Sequence, residues 1–452
     1  MITFLLLPLY TGILSTEEYG IVDLLNTLMS LLLPLIGLQI EKGVFRELIE
    51  VRQNKDAKQQ IITTSFLSLI LQCLLSIPLF IASSLFVRND YQYFLLINVL
   101  AYITVSFLQQ VARGLDEMTK YATGSFVNAI GTIAFNVLFL VVFKLGAYGM
   151  LLGTFCGFLV TIFYYFYAIR FFSYIHPKKF QKTTLKIIFY YSIPLIPNAL
   201  AWWIFSASDR VIVSSLLGLD ANGILAASLK FSTIITTIYT IFDTSWIESI
   251  SLAINDSDVK DYFNRITNIV IKLFTSLGLG IIAFIPFIFP ILINNNFSEA
   301  YYLIPITIIS AIFNTVQGLV AVIYAAKRNT KSIAQTSLVA ALANIVLHLS
   351  LIHIIGIYAS VISTLVAFLI LSIYRIRDAS KKYFQIIIDK KFVILTLIIA
   401  AFIFFTYYIN NMYANILSII IVIMFATITN RQSFMFIKNT ITKKLFGKGV
   451  KS

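Results

Sequence analysis

SIPLIPNALAWWIFSASDRVIVSSLLGLDANGILAASLK, Ser192 to Lys230, reads as two apolar runs joined by a polar turn at Gly218–Asn222. It carries charge where hydrocarbon is expected: the neighbours Asp209 and Arg210 in the first run, and Lys230 in the second. Arg210 lies seven residues before Leu217, where the first run ends, so it sits roughly 10–12 Å below that surface at helical rise. Lys230 lies roughly 13–15 Å down the returning helix by the same rise. Each such cation costs a few kcal/mol or more in hydrocarbon unless it faces a partner or a wet cavity. Two cations at similar depth on adjacent antiparallel helices predict a cavity built for an anionic substrate.

The rest of the chain has the same character. Of 452 residues, 59% are hydrophobic and 12% charged, and the mean hydropathy is +0.89, which excludes a soluble globular domain. Apolar stretches of membrane-spanning length recur from end to end. Backbone groups in lipid must be satisfied internally, and the alternating pattern of a membrane β-barrel is absent, so the fold class is an all-α polytopic membrane protein. The two cysteines, Cys73 and Cys156, both fall in apolar runs and imply neither a disulfide framework nor a metal cluster. No signal peptide is read at Met1, which lacks a basic region after it.

About 14 transmembrane helices are expected. The first, Met1–Leu14, is a partial span of only about 21 Å. The others are read at 19–45, 61–87, 91–112, 121–143, 147–169, 187–217, 221–249, 266–293, 301–326, 332–354, 357–374, 392–409 and 413–429. Alternate loops then collect 28 of the 34 Lys and Arg residues, while the opposite set holds Arg88, with Lys144 near its edge. The positive-inside rule makes the first set, and both termini, cytoplasmic. That distribution also assigns the net charge of +14 to topology and not to nucleic acid.

An internal repeat underlies the spans. Leu14–Val22 (LSTEEYGIV) resembles Leu217–Leu225 (LGLDANGIL) at an offset of 203, and later matches occur at 210 to 211. The expected organisation is an amino-terminal lobe at 1–170, a basic linker at 171–186, a second lobe at 187–377, two further helices at 378–430 and a basic tail at 431–452. Two six-helix copies of like orientation are related by an axis along the membrane normal, with a substrate site at their interface.

FLLLPLYTGILSTEEYGIVDLL at Phe4–Leu25 and SIPLIPNALAWWIFSASDRVIV at Ser192–Val213 resemble the bacterial polysaccharide-biosynthesis flippases. These move lipid-linked O-antigen and capsule repeat units and belong to the multidrug/oligosaccharidyl-lipid/polysaccharide exporter (MOP) superfamily. The resemblance covers essentially the whole chain. It implies two six-helix lobes facing each other in a V, two extra carboxy-terminal helices, alternating access, and a location in the bacterial plasma membrane. It implies an undecaprenyl-pyrophosphate-linked glycan as substrate, with membrane lipids, a polysaccharide polymerase and glycosyltransferases as partners. Family members carry a further half-helix and basic residues before the position of Phe4, so the first span is expected to be truncated.

Moving a pyrophosphate through a low-dielectric slab calls for cations, and Arg offers a planar fork to phosphate oxygens. Arg210 is the first candidate for the substrate cavity; alternatively it only partners a nearby helix acid. Lys230 is the second, or a structural partner of Asp209 across the hairpin. Asp23 either pairs with a cavity cation or carries a coupling ion. Glu41, Lys42 and Arg46 end the second span where a head group would enter; Lys42 and Arg46 share a face, and the pair alternatively snorkels, balanced by Glu41 and Glu47. Asp243 and Glu248 are the pseudo-equivalent acids, and Lys272 is read as interfacial. Trp202 and Trp203 stack on sugar faces or serve as packing. Pro34, Pro194 and Pro197 are hinge candidates, with Pro286 and Pro290 as further kinks.

No metal site is expected, since His348 and His353 are five apart and His176 lies in a loop. No cofactor is expected either. Without a GxxxxGK loop the chain does not hydrolyse ATP, leaving the membrane potential, or a proton or sodium coupling ion, as the energy source. Two readings compete with a flippase. A cation-coupled multidrug exporter of the same superfamily is opposed by the in-span cations. A membrane polymerase or glycosyltransferase is opposed by external loops of about ten residues, too short to house a catalytic domain.

Overall fold

A computed structural model describes Phe4 and residues 6–84 and 91–431. The start of the first span, Arg88 and nearly all of the basic tail lie outside the described residues. Among the described residues, the first eight helices are α1 (Leu7–Ile13), α2 (Thr16–Ile36), α3 (Ile40–Glu50), α4 (Lys55–Ser84), α5 (Gln92–Gly114), α6 (Met118–Val137), α7 (Gly146–Ala168) and α8 (Lys182–Ser192). The other eight are α9 (Ile196–Leu216), α10 (Leu219–Ala253), α11 (Val259–Leu292), α12 (Ala300–Ala326), α13 (Thr330–Ile355), α14 (Tyr358–Lys382), α15 (Lys390–Ile409) and α16 (Met412–Thr429). No strand occurs among the described residues. Among the described residues, thirteen helical stretches are long and apolar enough to span a bilayer, and they match the second to fourteenth expected spans.

Two expected spans are interrupted. The second, read as one helix over 19–45, stops at Ile36 and restarts at Ile40, because Leu38 and Gln39 adopt left-handed backbone (φ 48° and 55°). Pro34 lies inside the last turn before this break. A side chain in that region costs roughly 1–2 kcal/mol, so the break persists through packing around it. The seventh, read over 187–217, divides into α8 and α9 at a 3₁₀ turn, Ile193–Leu195, with Pro194 in the turn and Pro197 in the first turn of α9. A proline lacks the N–H that would continue the α ladder.

Among the described residues, those at 13–223 form one compact unit; those at 6–12, with 224–431, form the other. This cut differs from the sequence halves 1–170 and 187–377. The helix preceding each repeat is the one exchanged. Thr11 of α1 donates to the Leu292 carbonyl at 3.3 Å, which binds α1 into the carboxy-terminal unit. In the other unit, α9 packs antiparallel along α2. The two extra helices join the carboxy-terminal unit through Tyr407, stacked on Tyr301 at 4.3 Å, with each hydroxyl donating to the other residue's carbonyl.

The sequence STEE at 15–18 explains how α2 begins. Ser15 Oγ accepts from the Glu18 N–H and Glu18 Oε2 accepts from the Ser15 N–H, both at 3.0 Å, a capping box that satisfies two otherwise unpaired donors. Glu18 Oε1 also accepts from the Ala147 N–H at the start of α7. One turn into α2, Gly20 meets the first turn of α10 so closely that a Cβ there would overlap the Leu219 carbonyl. Reciprocally, a Cβ on Gly223 would overlap the Thr16 carbonyl. Buried Asn222 closes the contact by donating to the Gly20 carbonyl at 2.8 Å. Offsetting Thr16 and Gly20 by 203 gives Leu219 and Gly223, so the repeat read in sequence is realised as a two-fold contact.

Replacing Gly20 or Gly223 with Ala is expected to cost about 1–3 kcal/mol or more, since backbone must move to admit a methyl group. Thermal unfolding of the purified protein should show a midpoint several degrees lower for each. Gly12→Ala, where a Cβ meets nothing within 4 Å, is the control and should match the parent.

Candidate functional site

Antiparallel α2 and α9 meet at two successive levels. At the first, Arg210 Nε lies 2.8 Å from Asp23 Oδ2, with side chains 22% and 15% exposed. At the second, one helical turn along α2, Trp203 Nε1 donates to the Thr27 carbonyl at 2.9 Å. Thr27 in turn donates to the Asp23 carbonyl, so both levels share one backbone segment. Among the alternatives for Asp23, the geometry is that of a partner to a cation, and for Arg210 that of a residue held by a helix acid.

This pairing changes the electrostatics expected from sequence. Asp209 precedes Arg210 in the chain, but the acid on the guanidinium is Asp23, 187 positions away. The pair is partly buried and net neutral, so Arg210 is not an uncompensated charge. Trp203 is anchored through its ring nitrogen, whereas Trp202 presents an exposed face (59%).

The entry group divides similarly. In α3, Lys42 and Arg46 are exposed, whereas Glu41 is buried (7%). Arg46 lies over the Tyr191 ring, 4.6 Å from its centre, in a cation–π contact with α8. A Cβ on Gly43, one turn before Arg46, would overlap Ser192 and Ile188, so this side of α3 packs closely on α8.

Lys230 belongs to the other unit, where it is half-buried in α10. Further along that helix, Tyr239 donates to Asp243 Oδ1 at 2.8 Å. Lys272 pairs with Asp389 at 2.9 Å. No group of three or more His, Cys, Asp or Glu side chains suited to a metal ion occurs among the described residues.

Arg375 was placed by sequence in a cytoplasmic loop. It lies inside α14 and is 2% exposed. Its nitrogens donate to Thr336 at 2.9 Å, to Ser337 at 2.9 Å, to the Ile333 carbonyl and to Gln317, tying α12, α13 and α14 together through neutral oxygens. The signal available was the stripe Ser363, Ala367, Leu371, Arg375 and Ala379, one residue per helical turn, every member buried.

A double-mutant cycle tests the central pair. Asp23→Ala or Arg210→Ala alone is expected to destabilise by about 1–3 kcal/mol, because each strands a partly buried charge. The double variant should be less destabilised than the sum of the singles, read as thermal midpoints in one detergent.

A family model described as "Polysaccharide biosynthesis protein" matches residues 1–247, which include α1–α9 and every residue of the Asp23–Arg210 site. No curated protein sequence matches the chain. Among solved structures, lipid II flippase MurJ in an inward closed conformation is 16% identical, with a TM-score of 0.69 covering 97% of this chain and 96% of that one. An inward-facing multidrug resistance MATE family transporter of the MOP superfamily is 12% identical, with a TM-score of 0.67 over 84% of this chain and 95% of the other. An outward-facing MATE transporter is 14% identical, with a TM-score of 0.56 over 84% and 92%. At these identities the likeness is one of fold. The family match covers more than half of the chain, which therefore belongs to the polysaccharide biosynthesis protein family and has the all-α polytopic fold of MOP-superfamily transporters.

Proposed function

We propose that the protein is a flippase that moves polyprenyl-pyrophosphate-linked oligosaccharide units from the inner to the outer leaflet of the bacterial plasma membrane by alternating access. The observation that carries this reading is Arg210: a partly buried guanidinium within a membrane span, inside the segment the family model matches. A planar fork of N–H donors suits phosphate oxygens and is wasted on an organic cation, which disfavours drug export. The work is transport, with no catalytic step assigned to any residue.

Pyrophosphate oxygens and the Asp23 carboxylate compete for one guanidinium. A proton or sodium ion on Asp23 releases the fork to the substrate, which makes Asp23 the point at which a coupling ion acts. Lys230 supplies a second cation on α10, Lys42 and Arg46 receive the head group, and Trp202 offers its exposed ring to a sugar face. The anionic head group leaves a negative interior, so the membrane potential assists by about 2.3 kcal/mol per charge per 100 mV crossed. The loop charges orient both termini to the cytoplasm, where glycosyltransferases build the substrate; a polymerase consumes it on the other face.

Complementation in cells lacking their own flippase tests the reading. At matched membrane abundance the parent should restore surface polysaccharide, Arg210→Ala should give at least about tenfold less, and Arg210→Lys and Lys230→Ala should fall between. Full restoration by every charge variant would remove these residues from substrate handling.

A further inference from the structure

The carboxy-terminal unit holds a polar cleft of about 360 Å³, large enough for a small ligand, between α11, the segment leading into α15, and the end of α16. Two asparagines one turn apart build its floor. Asn264 exchanges hydrogen bonds with the Ile387 N–H and the Gln385 carbonyl, and Asn268 with the Asp389 N–H and the Ile387 carbonyl. The extended chain at 385–389 is thereby laid along α11.

Three charged residues of α11 line the cleft: Asp261, Arg265 and Lys272. Their spacing of four and then seven residues puts them on one helix face, at heights of roughly 0, 6 and 16 Å along the axis. Lys272, the deepest, shares its charge with Asp389, which also caps α15 by accepting from the Lys391 and Phe392 N–H groups. The hydrogen bond from Lys272 holds the Asp389 carboxyl below its ordinary range, so Asp389 is ionised at neutral pH. Asp261 and Arg265 are both exposed. The four charges sum to zero but are separated by height: acid outermost, then base, then a compensated base. Leu273 of α11, next to Lys272, and Ile428 of α16, next to the lining residue Thr429, present exposed apolar surface, 45% and 67%.

We propose that this cleft seats the head group of an aminophospholipid, with the phosphate between Arg265 and Lys272 and the ammonium at Asp261. A lipid standing in the leaflet puts its amine outermost, its phosphate next and its acyl chains deepest, the order in which Asp261, the two bases and the apolar residues occur along α11. A net-neutral cleft favours a zwitterion over a lipid with uncompensated negative charge, because the second acid repels the latter.

Native mass spectrometry of the full chain, released from detergent after equilibration with a single lipid, reads the site directly. Phosphatidylethanolamine, phosphatidylcholine and phosphatidylglycerol form the comparison, with free phosphoethanolamine as competitor. Phosphatidylethanolamine is expected to be retained about fivefold more than the other two. Asp261→Asn should abolish that preference while leaving phosphate-dependent retention, and Arg265→Ala should lower retention of all three lipids. Both side chains are exposed, and matched thermal midpoints would show that the fold is kept. Equal retention of all head groups, preference for phosphatidylglycerol, parent-like behaviour of both variants, or competition by free phosphoethanolamine as strong as by the lipid would each overturn the proposal.

Discussion

An ionised side chain within a membrane must be compensated where it stands, and much of this structure follows from how that demand is met. Three cations that lie within spanning helices receive three different answers. Arg210 takes a carboxylate from a neighbouring helix at 2.8 Å. Lys272 takes the capping acid of α15, Asp389. Arg375, the most buried, takes a ring of hydroxyl, amide and carbonyl oxygens. Each solution joins helices that are distant in sequence, so compensation doubles as tertiary structure.

Backbone proximity is the second constraint. Helices in lipid gain little from hydrophobic burial against one another, so close approach and polar contacts carry more of the packing. Gly20 and Gly223 allow the first turns of α2 and α10 to touch backbone to backbone, and Asn222 spends its amide on the Gly20 carbonyl. The same short motif, used twice 203 residues apart, meets itself there. The Asp23–Arg210 pair lies one turn further along α2, so the backbone contact fixes the height at which the two charges face each other.

Much of this was legible in the sequence. Thirteen of the fourteen expected spans followed from apolar run length, and the repeat at an offset of 203 was read before the structure showed its two copies in contact. That Asp23 pairs with a cavity cation was one of the two alternatives read for it, but that the cation is Arg210 depends on which helices adjoin across 187 positions. The break at Leu38–Gln39 was hidden for a similar reason: neither residue is a turn former, and left-handed backbone there is imposed by surrounding packing. Arg375 was misassigned because a run of cations after Tyr374 resembles a loop, although the helix continues through it to Lys382.

The central claim is that Arg210 serves both Asp23 and the substrate, so its position matters as well as its charge. Exchanging the two residues, Asp23→Arg with Arg210→Asp, separates these roles in one protein. Thermal stability and membrane abundance of the exchanged chain should return close to the parent, because the pair is re-formed, while surface polysaccharide in flippase-deficient cells stays at the level of Arg210→Ala. Full polysaccharide from the exchanged chain would contradict the account, reducing the pair to a structural tie.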